Sequence, residues 1–209
     1  KDLVPRWEPG TELGCGVQAG GPAPYNNVLD RFKYVVFKDP NWDWKKFNFA
    51  TDLAPLEKLD DPANATDPNL KAFTSQGGKL LIYHGWADQQ VVPTSTVNYY
   101  NSVLDTMGGA AKTSEWLRVF MAPGMAHCRG GDGPNTFDTL TALETWVEKG
   151  KAPDQIIASH STGGKIDRTR PLCAYPMVAR YKGTGAIDDA DLRAVRPRSE
   201  GSSRRWPAR

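Results

Sequence analysis

Two short runs of continuous apolar residues set the frame of this chain. Lys79-Leu80-Leu81-Ile82-Tyr83-His84, bounded by Gly77-Gly78 and Gly85, has strand length and no polar alternation, the pattern of a parallel strand covered on both faces. Trp116 to Met121 repeats it. Between the two runs, Thr94 to Met107 reads as a helix capped near Thr94 and stopped by Gly108-Gly109. After them, Asn135 to Lys149 reads as a second helix, with Phe137, Leu140, Leu143, Trp146 and Val147 recurring at helical spacing and Gly150 as its stop. Strand, helix, strand, helix predicts an α/β fold with right-handed crossovers and a parallel sheet. Chemistry on such sheets gathers at the carboxyl ends of the strands. HGWADQQVVP follows the first strand and PGMAHCRGG the second.

The residues before this unit have another texture. Residues 1–30 are dense in glycine and proline without any period, as expected of irregular connection. Residues 31–49, RFKYVVFKDPNWDWKKFNF, hold a strand-like Tyr34-Val35-Val36-Phe37 and five further aromatics: Phe32, Trp42, Trp44, Phe47 and Phe49. Aromatics at this density pack a core, and they can also line a groove for a flat ring. Residues 51–78 carry Asp, Pro and Asn and end in Gly77-Gly78, a boundary signal.

With 209 residues and 39% hydrophobic positions, the chain can bury a core. Its formal net charge is +2, but Arg193, Arg196, Arg198, Arg204, Arg205 and Arg209 crowd the end, so the remainder is acidic. No basic patch interleaved with aromatics is visible, which excludes a nucleic-acid partner for the folded part and leaves a solvated, disordered end. No run of 18 apolar residues is present, so no membrane helix is expected. The sequence begins at Lys1 without an initiator Met or a signal-peptide pattern, as in a mature chain or a fragment. The sequon Asn64-Ala65-Thr66 lies in a polar loop where an N-glycan would be tolerated. In an extracellular chain, the odd number of cysteines (Cys15, Cys128 and Cys173) leaves at least one without a partner here.

Two side chains stand out chemically. Asp88 lies a few residues past the first strand, and His127 a few past the second, 39 residues later. One strand–helix–strand unit fills that interval, so both can reach one edge of the sheet. An acid that fixes the tautomer of an imidazole is the back half of a catalytic triad, and acid before histidine is the α/β-hydrolase order. Structural hydrogen bonding would explain the pair about as well. His84, at the end of an apolar strand, reads as a hydrogen-bonded core or rim histidine. His160 follows Ile156-Ile157-Ala158 and has no acidic neighbour of comparable setting. A nucleophile should precede Asp88 on a strand–turn–helix elbow, yet Ser75 precedes a strand, and Ser95, Ser102 and Ser114 fall in or after the first helix. Three scattered histidines and three scattered cysteines form no metal-ligand spacing.

Taken in order, HGWADQQVVP, PGMAHCRGG with the helix FDTLTALETWVEKGKAPDQI, and TRPLCAYPMVARYKGTGAIDDA resemble the C-terminal half of the tannase and feruloyl esterase family, from about residue 5 to residue 190. The resemblance implies an α/β-hydrolase core with a lid domain inserted before the acid-bearing strand. Residues 1–76 would be the last part of the lid, 77–190 the C-terminal part of the catalytic domain, and 191–209 an Arg-rich disordered tail. It implies that Asp88 is the triad acid and His127 the base. It also implies that Cys128 forms a disulfide with the residue before the nucleophilic serine, holding both loops at catalytic distance. Serine and partner cysteine would both lie upstream, as would the Asp-rich ligands of a structural calcium, which leaves no metal ligand in this chain. Cys173 would pair with a cysteine near the C terminus, where this sequence has only arginine-rich, altered text. Cys15 has no expected partner.

The resemblance thus implies a secreted serine-type carboxylic ester hydrolase, expected to be a feruloyl esterase releasing hydroxycinnamic acids from plant cell-wall polysaccharide such as xylan. Trp42, Trp44 and Gln89 are candidates to line the substrate. This chain alone, lacking the nucleophile, should be inactive, and its partner would be the N-terminal half of the same enzyme. Three alternatives stand beside it: a tannase acting on galloyl esters; a truncated product or one chain of a two-chain enzyme joined through Cys128; and a carbohydrate-binding module, suggested by seven tryptophans and seven tyrosines.

Overall fold

The computed structural model describes residues 26–60, 64–189 and 192–195. Two compact units divide between Leu70 and Lys71.

In the first unit, α1 (Asn26–Asp30) continues into a π-helical segment, Arg31–Val36. The strand expected at Tyr34–Phe37 does not form. Instead the Phe37 N–H donates to the Phe32 carbonyl at 2.9 Å, and this wide turn stacks the two rings with centroids 6.0 Å apart. Trp42 lies on both rings, at 5.3 Å from Phe32 and 5.0 Å from Phe37, and Phe47 meets Phe32 edge-on at 5.2 Å. Aromatic packing here overrides the β-propensity of Tyr-Val-Val. Asp43 accepts from the Lys45 N–H and starts a 3₁₀ turn, Trp44–Lys46. Within 51–78, the stretch that ends in the Gly77-Gly78 boundary signal, lies α2 (Leu53–Asp60), which tolerates Pro55 because proline sits in its first turn.

The second unit begins with α3 (Lys71–Thr74). Strand β1 (Leu80–Gly85) and strand β2 (Leu117–Ala122) pair in parallel, from Leu80 opposite Leu117 to Gly85 opposite Ala122. The crossover between them carries α4 (Pro93–Met107) and α5 (Ala110–Thr113). The cap of α4 is Val92, not Thr94: Pro93, with no N–H to satisfy, takes the first helical position. Gly108, at φ 92°, ends the helix in the left-handed conformation.

Helix α6 (Thr139–Lys149) starts later than its periodicity suggests. Asp138 accepts from the Thr141 N–H at 2.9 Å, while the N–H groups of Asn135 and Thr136 go to the Ser159 carbonyl. Its apolar stripe is only partly covered within the described residues: Trp146 is buried, but Leu140 is 65% exposed and Val147 62%.

Strands β3 (Gln155–Thr162) and β4 (Lys165–Cys173) form an antiparallel hairpin. A bridge from Phe120 to Ala174, with the Tyr175 N–H on the Val119 carbonyl at 2.7 Å, ties the end of this hairpin to β2. The core collects there, from Phe120, Ala122, Met125, Ile156, Ala158 and Leu172. Strand β5 (Val178–Tyr181) pairs with β6 (Leu192–Val195). Within the Arg-rich 191–209, residues 192–195 pair with β5, and the rest lies outside the described residues. The fold is mixed α/β, and no described helix is long and apolar enough to cross a membrane.

Candidate active site

The loops after β1 and β2 are sewn together by backbone. The Trp86 N–H reaches the Ala122 carbonyl at 2.9 Å and the Ala87 N–H the Met125 carbonyl at 3.0 Å. Gly85 permits this seam, because a Cβ there would stand 2.1 Å from the Met125 oxygen and 2.8 Å from that of Ala126. Met125, 1% exposed, anchors the second loop in the core, and the Ala126 N–H closes that loop onto the Gly130 carbonyl.

This seam brings Asp88 and His127 together. Nδ1 of His127 lies 2.9 Å from Oδ2 of Asp88, whose side chain is 4% exposed, while that of His127 is 35% exposed. Oδ1 of Asp88 accepts the N–H groups of Gln90 at 2.8 Å and Val91 at 2.9 Å, a turn that the Asx side chain makes on its own backbone. Burial alone would raise the Asp88 pKa. The hydrogen bonds from Val91, His127 and Gln90 outweigh it, and the carboxyl lies below its ordinary range. A carboxylate held this way fixes the Nδ1–H tautomer of His127 and leaves Nε2 to take a proton.

His84 joins the same carboxylate. Its Nε2 is 3.1 Å from Asp88 Oδ2 and its Nδ1 2.7 Å from the Thr96 hydroxyl at the start of α4. Sequence periodicity marks His84 as a strand-end residue and carries no sign of this link. His160 has an acidic partner, though in another setting from that of Asp88: Oδ1 of the exposed Asp167 lies 2.6 Å from its Nδ1. A bulge in the hairpin leaves Asp167 as the unpaired residue of β4, between Ile166 opposite Ser161 and Arg168 opposite His160.

The serines weighed as nucleophiles are committed to their own helices. Ser75 Oγ donates to Ala72 at 3.0 Å, Ser95 to Val92 at 2.7 Å, Ser102 to Asn98 at 3.1 Å and Ser114 to Ala111 at 2.8 Å. Cys128, next to His127, is exposed at φ 63°, and Cys173 is a buried thiol whose pKa burial raises; Cys15 lies outside the described residues. Gln89 is half-buried in the turn after Asp88, and Asn64 is exposed. In the first unit, Trp42 is spent on the ring stack and Trp44 carries the Lys45 ammonium 6.0 Å from its centroid. Among the described residues, no three His, Cys, Asp or Glu side chains are grouped to hold a metal ion.

A profile of the family described as "Tannase and feruloyl esterase" matches residues 4–194. The chain belongs to the tannase and feruloyl esterase family. It is 48% identical over 171 residues to a mono(2-hydroxyethyl) terephthalate hydrolase of Piscinibacter sakaiensis, covering 80% of this chain and 27% of that protein. It is 34% identical over 205 residues to a "probable feruloyl esterase B-2" of Neosartorya fischeri, covering 90% and 39%. The crystal structure of feruloyl esterase B from Aspergillus oryzae superposes with a TM-score of 0.77 at 32% identity, over 92% of this chain and 42% of that one. Tannin acyl hydrolase from Aspergillus niger shares the fold, with a TM-score of 0.68 at 21% identity. The chain thus spans less than half the length of these relatives.

Proposed function

We propose that this chain supplies the acid and base of a serine-type carboxylic ester hydrolase of the feruloyl esterase type. The observation that carries the proposal is the 2.9 Å contact between His127 Nδ1 and the nearly buried Asp88, at the carboxyl ends of adjacent parallel strands. His127 Nε2 takes the proton of a serine on polypeptide upstream of Lys1 as that serine attacks the ester carbonyl. Asp88 stabilises the imidazolium, which then protonates the departing alcohol. In the second half of the cycle the same imidazole activates water against the acyl-enzyme.

In this proposal residues 77–190 complete an α/β-hydrolase core and residues 1–76 close a lid. Strand β1 has β2 as its one partner among the described residues, which leaves its other edge for a neighbouring strand of the N-terminal half. Cys128 bonds to the cysteine beside the serine, calcium is held by ligands outside this chain, and the protein is secreted with a glycan on Asn64. Hydroxycinnamate esters of cell-wall polysaccharide are the substrates. The ring stack around Trp42 weighs toward a packing role for that residue.

Hydrolysis of methyl ferulate against methyl gallate by the polypeptide carrying this chain and its upstream serine tests the proposal. Faster cleavage of the ferulate is expected, and loss of turnover on His127→Ala. Preference for gallate would make the protein a tannase. The isolated 209-residue chain is expected to turn over neither ester. Electrophoresis of native material with and without reductant tests the two-chain arrangement: a single species of unchanged size under both conditions excludes a second chain joined through Cys128.

A further inference from the structure

Asp88 has four hydrogen-bond acceptor positions, and the structure fills all of them. Two on Oδ1 are taken by the backbone of Gln90 and Val91, and one on Oδ2 by His127. The fourth faces Nε2 of His84, a side chain that is 10% exposed. An ionised carboxylate only accepts, so the proton between His84 and Asp88 belongs to His84 Nε2. The ring's Nδ1, in the neutral form, can then only accept, and the Thr96 hydroxyl 2.7 Å away donates to it. For a neutral His84 ring, valence then assigns the protons along Thr96–His84–Asp88–His127.

We propose that His84 is a positioning residue for the acid–base pair, aiming Asp88 Oδ2 at His127 and fixing its own neutral Nε2–H tautomer against Thr96. The role rests on the ester-hydrolase function proposed above. It reaches no reacting atom; it acts through Asp88. The backbone donors grip Oδ1 alone, and a carboxyl held at one oxygen still rocks about its Cβ–Cγ bond. His84 holds the other oxygen from the β1 side, while Thr96, on a separate helix, holds His84. When His127 becomes an imidazolium, the charge therefore meets a carboxylate already in place, with no reorganisation left to perform.

The isosteric logic gives a test that packing alone would not pass. In Gln, the side-chain amide nitrogen stands as many bonds from Cα as Nε2 does in His, so His84→Gln keeps the donor and His84→Leu keeps only bulk. In the full polypeptide, His84→Leu is expected to lower kcat for methyl ferulate by about 10- to 100-fold with KM changed less than about threefold. His84→Gln is expected to recover most of that loss. Thr96→Val, which removes the hydroxyl but keeps the shape, should cost several-fold, again in kcat. If Gln is no better than Leu, or if kcat falls only in step with Tm across the three variants, His84 is a packing residue and the proposal fails.

A substrate-free measurement separates this failure from failure of the functional assignment. Side-chain ¹⁵N NMR of the full polypeptide should show His84 protonated at Nε2 and bare at Nδ1. The His127 Nδ1–H resonance, shifted downfield by its bond to Asp88, should weaken in His84→Leu and persist in His84→Gln. Those spectra without any ester turnover would support the positioning network and reject the esterase. Turnover with His84 found as the Nδ1–H tautomer would keep the esterase and reject the network.

Discussion

Two histidine–aspartate pairs in one unit of this protein look alike on paper and differ in everything around them. His127 meets Asp88 at 2.9 Å, and His160 meets Asp167 at 2.6 Å. The shorter bond has the wetter acid, since the Asp167 side chain is 42% exposed and that of Asp88 4%, while the histidines run the other way, His160 at 21% and His127 at 35%. Asp167 sits on a bulge in a hairpin and is joined by the side chain of Thr162. Asp88 sits where two strand-end loops are sewn together, with two backbone N–H groups and two imidazoles on its four acceptor positions. Distance alone therefore does not separate an enclosed carboxylate from a surface one. Water screens an exposed pair until it is worth about 1 kcal/mol or less. Fixed donors around a buried carboxylate keep its charge and direction constant while its partner changes state.

The largest expected contrast comes from removing each acid. Asp88→Asn in the full polypeptide should lower kcat/KM for methyl ferulate by about 10³- to 10⁴-fold, since an amide can donate to Nδ1 and turn His127 to the wrong tautomer. Asp167→Asn should stay within about twofold of wild type. Initial rates with methyl ferulate decide it, and comparable losses from the two substitutions would erase the distinction.

The seam beneath the buried pair gives the next contrast. In Gly85→Ala the new methyl meets two backbone carbonyls, which cannot swing aside as a side chain can. A destabilisation of about 3 kcal/mol is expected, the upper part of the overpacking range. Gly163, in the turn beside the exposed pair, has φ 58° and nothing within 4 Å of a built Cβ, so Gly163→Ala carries conformational strain alone, about 1 kcal/mol. Urea unfolding of both variants measures the difference. Equal losses would mean that the two loops can part without cost.

Apolar continuity marked β1 and β2, and thirty-nine residues of spacing placed Asp88 and His127 on one sheet edge, because both patterns are local or follow from one crossover unit. Neither the pairing of His160 with Asp167 nor the link from His84 to Asp88 is local in that sense. The first depends on which residue of β4 the bulge leaves over, and strand register is invisible without the partner strand. The second depends on how tightly the turn after β1 folds back, which Gly85 and the carbonyls of the other loop decide. At Tyr34–Phe37 the local signal pointed to a strand, and ring stacking among Phe32, Phe37 and Trp42 prevailed. Leu140 and Val147 keep helical period on α6 yet lie exposed, since periodicity reports which residues can share a face and not what lies against it.

The smallest contrast is one of pH. Both carboxyls lie below their ordinary range. Burial works against Asp88 but is outweighed by the donors of Val91, His127 and Gln90, while Asp167 is lowered by Thr162 and then His160. A group depressed on folding stabilises the protein above its unfolded pKa, about 3.9 for Asp, and loses that contribution as pH falls through the folded value. The stability gap between wild type and Asp88→Asn should thus be widest near pH 7 and narrow progressively below about pH 4. The gap for Asp167→Asn should be smaller at every pH, because its charge lies in water. Urea midpoints at pH 7, 5, 4 and 3 measure both gaps, and salt sharpens them. With 0.5 M NaCl, where the Debye length is below about 8 Å, the Asp167 gap should close and the Asp88 gap persist, because counterions reach an exposed pair and not a carboxylate enclosed by backbone and two rings. Equal salt sensitivity at the two sites would show that solvent reaches Asp88 too, and the contrast in burial would no longer account for a contrast in chemistry.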